Sequence, residues 1–368
     1  MKIAFFYRRL DQGGIQRVIL NSAEYFSRQG HDVSIILMKK EGEYLDIIDP
    51  SIKIIPFKSS KKISLYASFK EILLQENFDI LFTASPPLNI FAVLSKLMMK
   101  TKTKIVISEN NNTVSLFGQN RKLTITKLTF FGIPLFYRFA DSIVAVSEGI
   151  SHNLSSLALL PKHKIDTIHN PAYTNQLLTQ MNDEVNHPWI LDKKEPVIIN
   201  VARLAKAKNQ KLLINAFANV LKKRKVKLLI VGEGPLREVL QEEINRLDLK
   251  EHVDLVGFQI NPVAWVAKSD LFVLSSDFEG FGVVLVEALA TGITVVTTKC
   301  NYGPSEVVNN GEFGYLAAVG SEEDLSNKIL HALDFPLPKE NQIKRAKDFH
   351  VDTIMQKYSD LFTSLTAV

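Results

Sequence analysis

Two glutamates eight residues apart, Glu279 and Glu287, carry the strongest chemical signal in the sequence. They lie in Ser275-Ser276-Asp277-Phe278-Glu279-Gly280-Phe281-Gly282-Val283-Val284-Leu285-Val286-Glu287-Ala288. There an apolar strand ends at Ser276, a short loop carries Glu279 and two glycines, and a helix begins near Gly282. Backbone N–H groups at a helix start, together with the positive end of its dipole, make an anion site. Gly280 and Gly282 let the backbone approach that anion closely. Eight helical residues span at most ~12 Å, so the two carboxylates can bracket a ligand whose phosphates occupy the helix start. One acid then faces a sugar and the other a ribose. An isolated pair at this spacing is ordinarily a dipole-compensating charge and a surface charge. The strand-loop-helix setting gives it chemical meaning.

Three further signals follow strand ends. In Asn200-Val201-Ala202-Arg203-Leu204-Ala205-Lys206-Ala207-Lys208-Asn209-Gln210, Arg203 can chelate phosphate oxygens and Lys208 can add a point charge. Val231-Gly232-Glu233-Gly234-Pro235 offers a tight glycine turn at the end of the next strand, without the Lys-Ser/Thr of a P-loop or a full dinucleotide fingerprint. Asp11-Gln12-Gly13-Gly14-Ile15-Gln16-Arg17 places paired glycines at a strand-to-helix junction. Each of the three, taken singly, reads equally as a solvated loop or a simple turn.

The elements that must position these residues repeat in both halves. Apolar runs Lys2–Tyr7, Val33–Met38, Ile52–Phe57, Asp79–Ala84, Lys104–Ser108, Ser142–Ser147 and Asp166–His169 read as strands buried on both faces. Gln16 to Gln29 reads as a helix stopped by Gly30. The second half repeats the scheme with strands at Val197–Val201, Lys227–Val231, Val253–Val256, Leu271–Ser275, Thr294–Thr297 and Tyr315–Ala318, and helices at Asn209–Lys222, Leu236–Leu247 and Val283–Ala290. Tyr173 to Pro196 reads as the connection between them. The expected fold is α/β, with two doubly wound domains facing a cleft and ligands held outside the carboxyl ends of the strands.

Composition agrees. The 368 residues suit two domains, and 46% hydrophobic with 23% charged residues excludes disordered, collagen-like and coiled-coil chains. A single cysteine, Cys300, excludes an internal disulfide or a multi-thiolate metal site and points to a reducing, cytoplasmic compartment. Residues 1–170 hold 22 Lys+Arg and 14 Asp+Glu, a balance of +8, which leaves −3 for the remainder of a chain whose net charge is +5. A basic first half suggests an acidic partner. No apolar stretch reads as a signal peptide or a membrane span.

In this order, the four motifs resemble the family-4 retaining glycosyltransferases of the GT-B fold, over nearly the whole chain. Smaller echoes are Arg28-Gln29-Gly30-His31-Asp32-Val33, Val146-Ser147-Glu148, His169-Asn170-Pro171, Val256-Gly257-Phe258 and Gly303-Pro304-Ser305-Glu306. The likeness is strongest to bacterial enzymes of lipid-linked oligosaccharide, lipopolysaccharide or capsule assembly. The resemblance implies a Rossmann-like acceptor-side domain over 1–172, a Rossmann-like nucleotide-sugar domain over 188–350, and a helix at 351–368 returning to the first domain. It also implies that Arg203 and Lys208 bind the donor diphosphate and that Glu279 contacts donor-sugar hydroxyls. The Phe281–Leu285 backbone, including Gly282, Val283 and Val284, would cradle phosphate beside Gly280, and Glu287 would bind ribose. The turns at Gly232, Gly234 and Phe258 would lie near the nucleotide, and Gly13-Gly14 near phosphate or acceptor. The donor would be a nucleotide-diphosphate hexose or N-acetylhexosamine, with uridine the expected base. Retention of configuration would proceed on the front face, the leaving phosphate helping to deprotonate the acceptor. No cofactor and no metal are expected, because Arg203, Lys208 and the helix start would neutralise the diphosphate.

One departure stands out. Many family members carry a histidine after the strand corresponding to Lys104–Ser108, whereas this chain reads Ser108-Glu109-Asn110-Asn111-Asn112. Glu109 and Asn110 are the candidate replacements, since either can hydrogen-bond a sugar. The missing histidine leaves two alternatives to a transferase: a non-catalytic sugar-nucleotide-binding subunit and a GT-B epimerase. A nucleic-acid partner is not expected, because the basic residues are not interleaved with stacking aromatics. Expected partners are the donor, a glycan or lipid-linked acceptor, and an anionic membrane surface bound peripherally through Lys58–Lys62, Lys96–Lys104 and Gln119–Tyr137. In the last segment Arg121, Lys122 and Lys127 stand beside Leu128, Phe130, Phe131, Leu135 and Phe136; the other reading of Phe130 to Phe139 is a buried helix.

Overall fold

A computed structural model describes residues 1–11, 13–58, 62–99, 101–110 and 125–367. It divides into two compact units, Met1–Pro171 with Val351–Val368, and Ala172–His350.

In the first unit the apolar runs form β1 (Lys2–Tyr7), β2 (Asp32–Leu37), β3 (Lys53–Pro56), β4 (Ile80–Thr83), β5 (Lys104–Glu109), β6 (Ser142–Ala145) and β7 (Ile165–Thr167). All pair in parallel, in the order β3-β2-β1-β4-β5-β6-β7. The runs are apolar throughout because both sheet faces are covered. On β1, Phe5 packs against Phe82 with ring centroids 5.5 Å apart, while Phe6 points the other way, onto Phe69 at 4.8 Å. Helix Val351–Thr366 closes the Phe5 face, where Phe362 stacks on Phe26 at 5.2 Å and Tyr358 meets Phe82 edge-on at 5.6 Å. Strand β6 stops two residues before the expected Ser147, because the Ser147 hydroxyl caps the next helix by accepting the Ile150 N–H at 3.2 Å.

The second unit holds β8 (Val197–Val201), β9 (Lys227–Val231), β10 (Val253–Gly257), β11 (Leu271–Leu274), β12 (Thr294–Thr298) and β13 (Tyr315–Ala317). These are also parallel, in the order β10-β9-β8-β11-β12-β13. Ile198, Leu228, Val273 and Val296 pack with Phe217 and Ile329 in its core. The stretch expected to connect the domains is instead part of this unit. It forms helices Asn175–Gln180 and Pro188–Leu191. Its polar groups meet partners far along the sequence: Asn261 Nδ2 donates to the Gln180 carbonyl at 2.8 Å, and His187 Nε2 meets Asp254 at 3.1 Å. The composition that suggests a linker therefore serves tertiary hydrogen bonds.

In each sheet the strand order reverses once, between β1 and β4 and between β8 and β11. At such switch points neighbouring loops diverge and leave a crevice at the carboxyl ends. Strands β8 and β11 share register only at Ile198 and Ile199. Beyond that the buried Asn200 amide bridges them, its Nδ2 donating to the Val273 carbonyl at 2.7 Å.

Candidate functional site

The Arg203–Asn209 loop leaves β8 and the Ser275–Gly282 loop leaves β11, so the two strongest motifs flank the switch point of the second unit. They are stitched together. The Asp277 N–H donates to the Ala207 carbonyl at 2.9 Å, and the Ser275 hydroxyl to the Lys208 carbonyl at 3.0 Å. Asn209 Nδ2 donates to Asp277 Oδ1 at 2.8 Å. Lys208 and Glu279 meet as a result, Nζ to Oε1 at 2.6 Å. The Ser276 hydroxyl donates to the same oxygen at 2.7 Å, and the Thr298 hydroxyl holds the Ser276 carbonyl at 2.5 Å. Glu279 Oε2 has no hydrogen-bond partner among the described residues. Cys300 lies close by: burial pushes its thiol up to about 12, the Glu279 carboxylate adds to the rise, and Lys208 opposes it.

Helix Val283–Thr291 begins at Gly282, whose φ of 89° is left-handed. Val283 and Val284 occupy its first turn, where N–H groups have no carbonyl one turn back. Leu285 departs from expectation. Its N–H donates to the Gly282 carbonyl at 2.9 Å and its side chain is wholly buried, so it presents no donor to an anion. Glu287 is buried one turn inside the helix. Phe281 is buried edge-on to Phe349, at 5.3 Å. A Cβ on Gly303 would come within 2.5 Å of the Phe281 Cα and 2.8 Å of the Gly280 carbonyl oxygen, so the Gly303 turn buttresses the Glu279 loop directly.

Gly232 and Gly234 let another loop lie on the Arg203 loop. Their Cβ atoms would fall 2.1 Å from the Ala202 carbonyl oxygen and 2.4 Å from that of Leu204, and the Leu204 N–H donates to the Glu233 carbonyl at 2.9 Å. The Gly232 N–H reaches the Gly257 carbonyl at 2.8 Å, which brings the half-buried Phe258 turn alongside. The Arg203 side chain is exposed and has no ion-pair partner among the described residues. Its carbonyl is held by Gln210 Nε2 at 3.1 Å.

In the first unit, Gly13 and Gly14 start helix Gly14–Arg28 after β1, and Glu109 ends β5 with Asn110 directly after it, β4 lying between the two strands. Glu109 and Asn110 are buried, and the bonds that hold them meet at Ser108, whose carbonyl accepts from Asn89 Nδ2 at 3.1 Å. The Tyr137 hydroxyl donates to Glu109 Oε2 at 2.9 Å and accepts from Asn89 Nδ2 at 3.0 Å. Burial, then the nearby Glu109 charge, raises the Tyr137 pKa well above its ordinary value. Asn110 Nδ2 donates to Ser108 Oγ at 3.1 Å, and Ser108 is hydrogen-bonded to Tyr358 of helix Val351–Thr366. Asn110 Oδ1 is buried without a hydrogen-bond partner among the described residues, a state open to a donor such as a hydroxyl.

Ser276, Asn209, Asp277 and Thr298 belong to the constellation around Glu279 and have no role assigned from the sequence, and Gly303 appears there only as part of a smaller echo. Asn209 is expected as the first residue of a helix, which hints at its cap; the helix begins one residue later, and Asn209 Oδ1 accepts the Leu212 N–H at 3.2 Å.

Two family models match the chain: "Glycosyltransferase Family 4" over residues 12–176 and "Glycosyl transferases group 1" over residues 182–349. The chain is 30% identical, across 88% of its own length and 88% of the relative's, to the N-acetylgalactosamine-N,N'-diacetylbacillosaminyl-diphospho-undecaprenol 4-alpha-N-acetylgalactosaminyltransferase of Campylobacter jejuni. It is 28% identical to the N-acetyl-alpha-D-glucosaminyl L-malate synthase of Bacillus anthracis, across 82% of the chain and 78% of the relative. Among solved structures, Anabaena HepE in complex with UDP-glucose superposes with a TM-score of 0.83 at 20% identity, covering 99% of this chain and 100% of that one. The sucrose-phosphate synthase of Thermosynechococcus elongatus also gives 0.83, at 18% identity, covering 99% and 98%. These likenesses give the two Rossmann-like units the GT-B fold.

Proposed function

The chain belongs to the family-4 and group 1 glycosyltransferases, and on that premise we propose that it moves a hexose or N-acetylhexosamine from a UDP-sugar, with retention of configuration, to a growing cell-surface glycan or lipid-linked oligosaccharide. The observation that carries this reading is the Lys208–Glu279 pair at 2.6 Å beside the start of helix Val283–Thr291. A cation, a helix N-terminus and a carboxylate with one oxygen unclaimed stand together at a switch point. That set accommodates a diphosphate and the sugar hydroxyls next to it. The Campylobacter relative is named for acting on an undecaprenyl-diphosphate saccharide, and solved neighbours hold UDP or UDP-glucose. Both favour a uridine donor and a lipid-linked acceptor.

In this mechanism Arg203, Lys208 and the Val283 and Val284 N–H groups stabilise negative charge as the anomeric C–O bond to the β-phosphate breaks. Glu279 Oε2 orients the sugar through its hydroxyls, and Glu287 holds the ribose. The acceptor hydroxyl forms its bond on the same face, and its proton passes to the departing phosphate oxygen. No metal or cofactor has a part in these steps. Asn110 Oδ1 and Glu109, at the end of β5, receive sugar hydroxyls in place of a histidine. Gly13 and Gly14 give the acceptor-side loop its close approach.

Association with an anionic membrane surface is part of the proposal. On helix Ile125–Phe136 and the turn after it, Ile133 and Tyr137 are buried, whereas Phe131, Leu135 and Phe139 are exposed, as is Met98 on the neighbouring helix Pro86–Met99. The segment is thus neither wholly buried nor wholly free. Lys61, Arg121 and Lys122 lie outside the described residues, as do the side chains of Lys62, Lys127 and Leu128. Among the described residues no helix is long and apolar enough to cross a membrane.

A thermal-shift screen of UDP, GDP, ADP and their sugars, followed by UDP-release assays and NMR of the product's anomeric proton, tests the reading. UDP-sugars should raise the Tm, and Glu279→Ala should abolish turnover without loss of fold. Wild-type turnover in the folded variant, or an inverted product, would overturn it.

A further inference from the structure

Lys208 and Glu279 are 71 residues apart in sequence, and both are long side chains on loops, Lys208 half-buried and Glu279 buried. Left to themselves, two such side chains would sample many rotamers. The structure contains a device that restricts them. Asn209 follows Lys208 directly, and Asp277 stands two residues before Glu279. Asn209 adopts a left-handed backbone, φ 44° and ψ 49°, which Asn tolerates better than most residues. In that conformation its side chain does two things at once. Oδ1 caps helix Gln210–Leu221 through the Leu212 N–H, and Nδ2 donates to Asp277 Oδ1 at 2.8 Å. Apart from the Lys208–Glu279 pair itself, every other bond between these two stretches among the described residues uses a backbone atom. The Asn209–Asp277 bond is the side-chain link that fixes one loop's register against the other.

We infer that Asn209 and Asp277 form a positioning clasp, outside the donor-contacting groups, that sets the Lys208 ammonium against Glu279 Oε1 and so leaves Oε2 as the oxygen offered to a sugar. This rests on the donor-site reading above. Because the clasp is anchored to a helix start on one side and to the end of β11 on the other, both charged groups are carried on rigid elements before a donor arrives. A catalytic group displaced by about 1 Å can cost ~100-fold in rate.

The test uses Asn209→Gly, which keeps the backbone conformation accessible, Asp277→Ala, and the exchange Asn209→Asp with Asp277→Asn, which rebuilds the bond with donor and acceptor reversed. One readout needs no donor. Acylation of Lys208 by sulfo-N-hydroxysuccinimide acetate, followed by peptide mass spectrometry, should be slow in the wild type, several-fold faster in each single variant, and slow again in the exchange. The second readout is turnover of the UDP-sugar found in the screen. Each single variant should lose about tenfold or more in kcat, with the Kd for UDP changed by less than about threefold, and the exchange should recover most of kcat. Unchanged acylation in the single variants refutes the clasp. So does a loss of activity that tracks a loss of Tm and that the exchange fails to repair, because the pair would then be holding the fold. If acylation responds as expected but no UDP-sugar is bound or turned over by the wild type, the clasp stands and the donor reading falls.

Discussion

Replacing Gly303 with alanine tests whether the Glu279 loop is held by backbone contact alone. The residue has φ 63° and ψ −78°, and its Cβ would lie 2.5 Å from the Phe281 Cα, 2.7 Å from the Phe281 oxygen and 2.8 Å from the Gly280 oxygen. Two costs add. A non-glycine residue in a sparsely populated backbone region costs ~1–3 kcal/mol, and forcing a methyl into filled space costs about 1–3 kcal/mol more. The neighbours are backbone atoms and cannot turn aside as a side chain would, so relief requires the Gly280–Phe281 stretch to move by roughly 1 Å to reach ordinary contact. The expected loss is ~2–6 kcal/mol. At about 2–4 °C per kcal/mol for a domain of this size, that lowers Tm by ~4–24 °C. Glu279, one residue before Gly280, moves with the loop, and turnover should fall about 100-fold. Gly320→Ala is the control: its φ of 73° is also positive, but nothing lies within 4 Å of its Cβ. Differential scanning fluorimetry and UDP release on the two variants decide. If Gly303→Ala matches Gly320→Ala in both Tm and turnover, the buttress argument is wrong.

Four other outcomes follow from the same geometry. Arg203→Ala and Lys208→Ala should each weaken UDP binding by ~1.5–3 kcal/mol in calorimetry while sparing uridine, since charge-assisted bonds to phosphate are what they remove; equal losses for both ligands would make them structural. Tyr137→Phe takes away the hydroxyl that reaches Glu109 and accepts from Asn89, and urea denaturation should register a loss of ~1–3 kcal/mol, whereas unchanged stability would mean that the bond contributes nothing. Cys300, with its thiol raised to about 12, keeps its proton in the native state well above the unfolded value near ~8.5; the native chain then binds more protons than the unfolded one, so stability should fall as pH rises from about 9 toward 12, less steeply in Cys300→Ala, and an identical slope in the two proteins would refute this. Co-sedimentation with anionic vesicles should weaken with salt and with Phe131→Ser plus Leu135→Ser; recovery of wild-type protein in the supernatant at low salt would exclude the membrane surface.

The strands could be read from the sequence because parallel strands covered on both faces are written as unbroken apolar runs, such as Lys2–Tyr7 and Lys227–Val231. Glu279, Arg203 and Lys208 were legible because each follows such a run at a loop-to-helix junction. Their relation to one another was not. The Asn209–Asp277 bond spans 68 residues and the Thr298–Ser276 bond 22, so no local pattern encodes either. Leu285 has a position that suits a phosphate cradle, and only the structure shows that its N–H closes a turn onto Gly282. Polar residues between Tyr173 and Pro196 resemble a linker because composition cannot show that Asp254 and Asn261 wait for them.

Helix Val351–Thr366 has a consequence for how the protein is made. It completes the core of the first unit, yet it emerges from the ribosome only after the whole of Ala172–His350. Until then Phe26 and Phe82 lack Phe362 and Tyr358, and Ser108 lacks its tyrosine. Thr366 finally reaches Met1 across 365 residues of chain. Domains usually mature in the order of synthesis; here the later unit is contiguous and can close first, while the earlier one stays open. A nascent chain stalled before Val351 would therefore expose an apolar seam on its oldest residues and a finished surface on its youngest.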